Sequence, residues 1–339
     1  MNITLGLDTF GDNAENEKGE KQTPAQTIRN IVEEAVLADE LGVDAFGIGE
    51  HHRPDYAVSS PETILAGIAT RTNKIKLGTA VTVLSSDDPV RVYQRFATID
   101  ALSNGRAEIM AGRGSFIESF PLFGYNLSDY EVLYSEKLDL LSKLVEEKPV
   151  TWSGTVRPGL NNQTVYPPTE SGRIPLWVAV GGTPASVVRA AEYNLPVAFA
   201  IIGGAPVRFQ PLVQLYRDVL EEAGGYENPV GVHSMGYVAE TDEQAQAEFY
   251  PYYEKFHNKL GAERGWGSLS KAQYQQEIRN GSLYVGSPET VASKISATAS
   301  TLGIQRFDLK YTTGAIPHTK LMKSIELFGT QVVPAVKAS

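Results

Sequence analysis

The chain has no cysteine in 339 residues. That absence excludes disulfides, cysteine-bound zinc, iron–sulfur clusters and thiolate catalysis. A long apolar run is missing too. The opening Met1-Asn2-Ile3-Thr4-Leu5-Gly6 carries neither a basic stretch nor a hydrophobic segment. No signal peptide or membrane span is read from it, and the expected compartment is the cytoplasm. Excess positive charge is also lacking, since the formal net charge is −10. Non-specific nucleic-acid binding needs a basic surface to replace counterions, and anionic membranes attract polybasic segments, so neither partner is expected. No complete G-x-G-x-x-G follows a strand-like run, and Walker A and G-x-S-x-G are absent. A Rossmann dinucleotide site, a P-loop and a serine-hydrolase elbow therefore lack their signatures.

What is present is the composition of a globular protein, 42% hydrophobic and 21% charged. Short apolar runs beginning at Ile3, Ala45, Ile75, Ala107, Pro175, Pro196, Val230 and Arg306 alternate with longer amphipathic ones. In the first of these, Ile28, Ile31, Val32, Ala35, Ala38 and Leu41 recur at the spacing of one helix face. Repeated strand-then-helix order implies parallel strands joined by crossovers, and eight such units predict an α/β fold of the (β/α)8 TIM-barrel type. An open doubly wound sheet is the competing architecture. Thr23-Pro24, Ser60-Pro61, Thr183-Pro184 and Ser287-Pro288 each place a capping hydroxyl before a proline suited to the first helical position. Asp87-Asp88 before Pro89 reads as another helix start. Insertions are expected after the fourth unit, at about 149–174, and after strand seven, at about 241–286, the latter either a lid or a passive excursion. The chain is read as one domain, 1–339.

In a barrel the reactive residues gather at the carboxyl ends of the strands. Strand two runs into Glu50-His51-His52, which concentrates three titratable groups and two of the chain's five histidines. Adjacent strand residues point to opposite sides, so His51 and His52 do not readily grip one ion, and no metal is expected. Gly181-Gly182-Thr183-Pro184-Ala185-Ser186 follows strand five. Its glycines admit a ligand close to the backbone, and a helix opens with free N–H groups: an anion site. Arg113, at the end of the preceding strand, could clamp the same anion.

These residues are similar to those of the bacterial-luciferase-like flavin monooxygenases. The likeness runs through Gly47 to His52, Leu77 to Leu84, Asp88 to Arg91, Leu102 to Arg106, Gly112-Arg113-Gly114, Val180 to Ser186 and Val285 to Glu289. It implies a (β/α)8 barrel that binds reduced FMN at the carboxyl face. It implies catalytic roles for His51, Glu50 and His52, and a phosphate site at Arg113, Val180, Gly181, Gly182, Thr183 and Ser186. Ala80 and Val81 fall where the family often carries a non-prolyl cis peptide beside the flavin ring. The expected reaction is monooxygenation of a small apolar compound, with NAD(P)H used directly or through a partner flavin reductase, in a homodimer. A deazaflavin-dependent hydride-transfer enzyme and a non-catalytic flavin-binding protein are the alternatives. Gly112 stands where luciferase has a reactive cysteine, and Gly182 where it has an acidic residue.

Overall fold

The computed structural model describes residues 1–339 except Glu17 and Ser115. Five elements form the first half of the barrel wall: β1 (Thr4–Thr9), β2 (Ala45–Ile48), β3 (Lys76–Thr79), β4 (Thr82–Val83) and β5 (Ile109–Gly112). A side hairpin, β6 (Val150–Trp152) and β7 (Leu160–Gln163), follows. The wall resumes with β8 (Leu176–Val180), β9 (Val197–Ala200) and β10 (Val230–Val238), a short β11 (Tyr284–Gly286), and β12 (Arg306–Lys310). All wall pairings are parallel, in the order β3-β2-β1-β12-β10-β9-β8-β5-β4, with β11 added to the end of β10. Closure comes from one strand that is interrupted. β3 and β4 flank a cis peptide between Ala80 and Val81, at the position the family resemblance implies. β3 touches the start of β5 through the Leu77–Ala107 bridge, and β4 pairs with the end of β5. The sheet is thus a nearly closed barrel of the TIM type, not an open doubly wound sheet.

Helices follow the strands outside. They are α1 (Pro24–Glu40), α2 (Pro61–Ala69), α3 (Pro89–Ser103), a single turn α4 (Ser119–Leu122), α5 (Tyr130–Leu144), α6 (Pro184–Glu192) and α7 (Gln210–Glu222). The chain closes with α8 (Asp242–Arg264), α9 (Lys271–Asn280), α10 (Pro288–Leu302), α11 (His318–Leu327) and α12 (Val333–Ala338). The helix starts behave in two ways. Thr23, Ser287 and Asp88 accept backbone N–H bonds as true caps, each worth about 1 kcal/mol. Ser60 and Thr183 make no such bond; their hydroxyls go instead to Thr63 at 2.9 Å and to Ser186 at 2.8 Å. For Thr183 the reason is functional geometry, taken up below.

On α1, Ile31, Ala35 and Ala38 are buried against the barrel, with Ile28, Val32 and Leu41 half-buried at the edge of the stripe. Glu34 is buried on the same face because Tyr311 and His318 both donate to its carboxylate. The first insertion holds the β6–β7 hairpin. The second holds α8, α9 and the short β11. Its end is tied to the barrel rim, where Arg53 bridges Glu118 (2.9 Å) and Glu263 and Lys259 pairs with Asp55. Among the described residues, no helix is long and apolar enough to cross a membrane.

Candidate active site

The carboxyl ends of the strands surround a cavity of about 260 Å³. Its wall is apolar where Phe10, Ala80, Val81, Met110, Ala179 and Ala198 face it, and its floor is polar, with Asp8, His233, Arg306 and Asp308. Space beside the cis peptide depends on missing side chains. A Cβ on Gly112 would meet Val81 Cγ2 at 2.6 Å, and one on Gly49 would meet the Ala80 carbonyl oxygen at 2.9 Å. The Ala80–Val81 segment therefore lies directly against these two glycines and forms a ledge that lines the cavity.

β2 ends at Ile48, so Glu50, His51 and His52 lie in the loop beyond it, and strand alternation does not govern them. The two histidines nevertheless diverge. His51 lines the main cavity among Phe10, Tyr56 and Phe116, with ring centroids at 4.8, 4.3 and 5.3 Å. Burial, reinforced by the charges of Lys310, His52 and Arg53, pushes its pKa down to about 3. At neutral pH it is a neutral imidazole in this state, not the near-neutral titrating group suggested by its residue type. Its Nε2 is buried without a partner. His52 turns away, into a crevice with Phe116, Glu118 and Ser119, and its Nε2 meets Glu50 Oε1 at 2.8 Å. Glu50 Oε2 accepts the Val83 N–H at 3.2 Å, just beyond the cis peptide. Glu50 thus couples the histidine loop to the ledge, and His52 acts behind it.

Arg113 and the Gly181–Ser186 turn come together because β5 and β8 are paired neighbours. Arg113, beyond β5, donates from Nη2 to Ser186 Oγ at 3.0 Å, and Ser186 is held by Thr183 Oγ1 at 2.8 Å. This contact is why Thr183 does not cap its own helix. Arg113, Val180, Gly181 and Ser186 line the cavity, while Gly182, at φ +106°, and Thr183 do not.

Sequence reading missed the floor. Arg306 binds Glu108 at 2.6 Å and Asp308 at 2.7 Å, all three buried. His233 Nδ1 lies 2.7 Å from Asp8 Oδ2. Burial opposes the charged imidazole, yet Asp8, helped by Asp308, outweighs it and leaves the His233 pKa raised. A signal existed: Arg306, Asp308 and Lys310 alternate along one strand and so share its inner face. Among the described residues, no group of three or more histidine or acidic side chains is arranged to hold a metal.

A parallel barrel thus carries, at its carboxyl face, one cavity lined by Ala80, Val81, the partly buried His51, Arg113 and Ser186. Residues 9–306 match the luciferase-like monooxygenase family, and the chain belongs to that family. It is 24% identical over 332 residues to the 4-hydroxyprotoasukamycin monooxygenase of Streptomyces nodosus subsp. asukaensis, covering 94% of this chain and 89% of that one. Monooxygenase RslO1 from Streptomyces bottropensis superimposes with a TM-score of 0.85 at 23% identity, covering 98% and 99% of the two chains. The oxygenating constituent of 3,6-diketocamphane monooxygenase from Pseudomonas putida, solved with FMN, gives 0.78 at 20% identity, with 98% of each chain covered. An F420-dependent secondary alcohol dehydrogenase shares the fold, at 0.74 and 18% identity over 99% of each chain.

Proposed function

We propose that this oxidoreductase uses reduced FMN and molecular oxygen to oxygenate a small organic compound with an apolar body. The observation that carries the reading is the meeting, in one cavity, of the Ala80–Val81 ledge with Arg113 and Ser186, the latter bonded to Thr183 behind it. The fit to FMN is chemical. A phosphate monoester matches a guanidinium, two hydroxyls and the amino end of α6, and a planar ring matches a ledge fenced by Gly49 and Gly112. Reduced flavin supplies the electrons that activate oxygen when it is bound.

The chain's own residues then have definable tasks. Phe10, Tyr56 and Phe116 pack around His51 and limit its contact with water. His51, neutral in this environment, offers a donor and an acceptor for placing a proton. An anionic ligand beside it would offset the Lys310 and Arg53 charges and raise its pKa toward the range where a proton moves readily. Glu50, held by His52 and the Val83 N–H, positions the loop and the ledge together. The wall of Met110, Ala179 and Ala198 selects the apolar body of the substrate. In this reading residues 1–339 act as one domain in a cytoplasmic homodimer, with reducing equivalents from NAD(P)H directly or through a flavin reductase.

His51→Ala should fold and bind FMN within about threefold of the parent, yet lose coupled oxygenation by ~100-fold or more. Turnover of the true substrate at the parent rate removes His51 from the mechanism. The cofactor itself is tested by titrating the purified protein with FMN and with deazaflavin. Binding of deazaflavin alone overturns the FMN reading and supports hydride transfer. Flavin binding without oxygen consumption in the presence of any candidate substrate would instead indicate a carrier.

A further inference from the structure

We propose that Glu131 is a built-in counter-anion for the phosphate cradle, that a bound phosphate displaces it, and that Arg189 then joins Arg113 in holding that phosphate. This inference rests on the cofactor reading given above. Glu131 sits in the first turn of α5 and reaches across to two guanidiniums at once. One carboxylate oxygen pairs with Arg113 Nη1, and the other lies 3.2 Å from Arg189 Nη2. Arg113 is the same residue whose other Nη donates to Ser186 in the cradle. Arg189 lies one helical turn beyond Ser186 on α6, so both point to one side.

The three side chains are not equally fixed. Arg113 and Arg189 expose only 24% and 19% of their side chains, whereas Glu131 exposes 61%. Each guanidinium also lies against a tyrosine of α5, Arg113 5.3 Å from the Tyr130 ring and Arg189 5.6 Å from the Tyr134 ring. Arg189 Nη1 is buried and has no hydrogen-bond partner, so its fork is incompletely used. The cations are therefore preplaced by packing, and the carboxylate is the member with water to move into. A phosphate seated on Arg113 and Ser186 would bring a second anion to the guanidinium that Glu131 already neutralises. Like charges at that distance repel, and the exposed, singly charged carboxylate yields to the multiply charged phosphate with its three acceptor oxygens. Without a ligand, Glu131 satisfies the arginines. With one, its departure costs part of the binding free energy, so the cofactor is held less tightly than the cradle alone would hold it. That suits an enzyme that takes up and releases its reduced cofactor.

The test compares ligands with and without phosphate on the full chain. Dissociation constants for FMN and riboflavin are measured by fluorescence quenching for the parent, Glu131→Gln and Arg189→Ala, with inorganic phosphate as competitor. Glu131→Gln should tighten FMN by about three- to tenfold, lower the phosphate concentration needed to compete, and leave riboflavin unchanged. Arg189→Ala should weaken FMN by a similar factor, again without touching riboflavin. Unchanged or weakened FMN binding in Glu131→Gln overturns the proposal, as does an equal change for both ligands. Glu131 is exposed, so this variant reports even if Arg189→Ala folds poorly; thermal melts identify that case. The same comparison with deazaflavin carrying or lacking its phosphate separates the two readings. If only that ring binds, the FMN reading falls while the Glu131 difference still decides this one. If no ring binds with or without phosphate, both fall.

Discussion

His51 combines three aromatic neighbours with a set of cationic ones, and both influences favour the uncharged ring. Its identity as a candidate was readable because histidines are scarce in the chain and two of them follow one strand. Its protonation state was not readable, because that depends on Phe10, Phe116 and Lys310, which are distant in sequence. Gly112 illustrates the same limit from the other side. The motif Gly112-Arg113-Gly114 was visible, but only the fold brings Val81 within 2.6 Å of where a Cβ would stand. Gly112→Ala should therefore push the Val81 side chain toward the ring site and weaken FMN binding by about tenfold, with a smaller effect on stability, ~1–3 kcal/mol. Equilibrium titration beside a denaturant melt checks both, and unchanged affinity would mean that the ledge tolerates a methyl group.

Between elements, single side chains replace missing backbone partners. Asp39, at the end of α1, accepts the N–H groups of Asn73, Lys74 and Ile75 at 2.7–2.8 Å, and so shapes the connection from α2 into β3. Burial alone would raise its pKa, but these three donors together with Arg106 outweigh that and lower it. Its stabilising contribution is therefore complete above the ordinary carboxylate value near 4 and is lost as pH falls through the depressed folded value. Asp39→Ala should cost ~2–4 kcal/mol at pH 7. The difference from the parent should shrink in melts at progressively lower pH; a penalty independent of pH would contradict the assignment. Helix starts were legible at this scale from local hydroxyl–proline pairs. That Ser60 and Thr183 would not cap their own helices was not, because their hydroxyls answer to other partners.

For the whole barrel, the floor concentrates buried charge. Arg306, Glu108 and Asp308 are buried together, and removing the cation would leave two carboxyl groups without their partner. Arg306→Ala should destabilise the protein by ~3–5 kcal/mol, measured by urea unfolding, whereas an isolated surface pair would cost under about 1 kcal/mol. A loss below 1 kcal/mol would show that water or rearranged side chains take over the role of the guanidinium. The His233–Asp8 pair adds a pH dependence of opposite sign to that of Asp39. Because the His233 pKa is raised, its contribution is present below the unfolded value near 6.5 and disappears as pH rises through the folded one.

By itself, the sequence determined the strand-then-helix rhythm, most helix starts, the clustering of Glu50, His51 and His52 after the second strand, and the short runs that hold Arg113 and Ser186. These are local patterns of hydrophobic period and turn chemistry, or short runs that keep their order along the chain. The tertiary structure alone decided that His51 faces the cavity and His52 does not, and that Arg113 meets Ser186 across paired strands. It also brought Glu131 onto both arginines and assembled the charged floor from β1, β10 and β12. Each of these depends on which strands become neighbours when the barrel closes, and on how far burial shifts a charge. Both are properties of packing between residues tens to hundreds of positions apart.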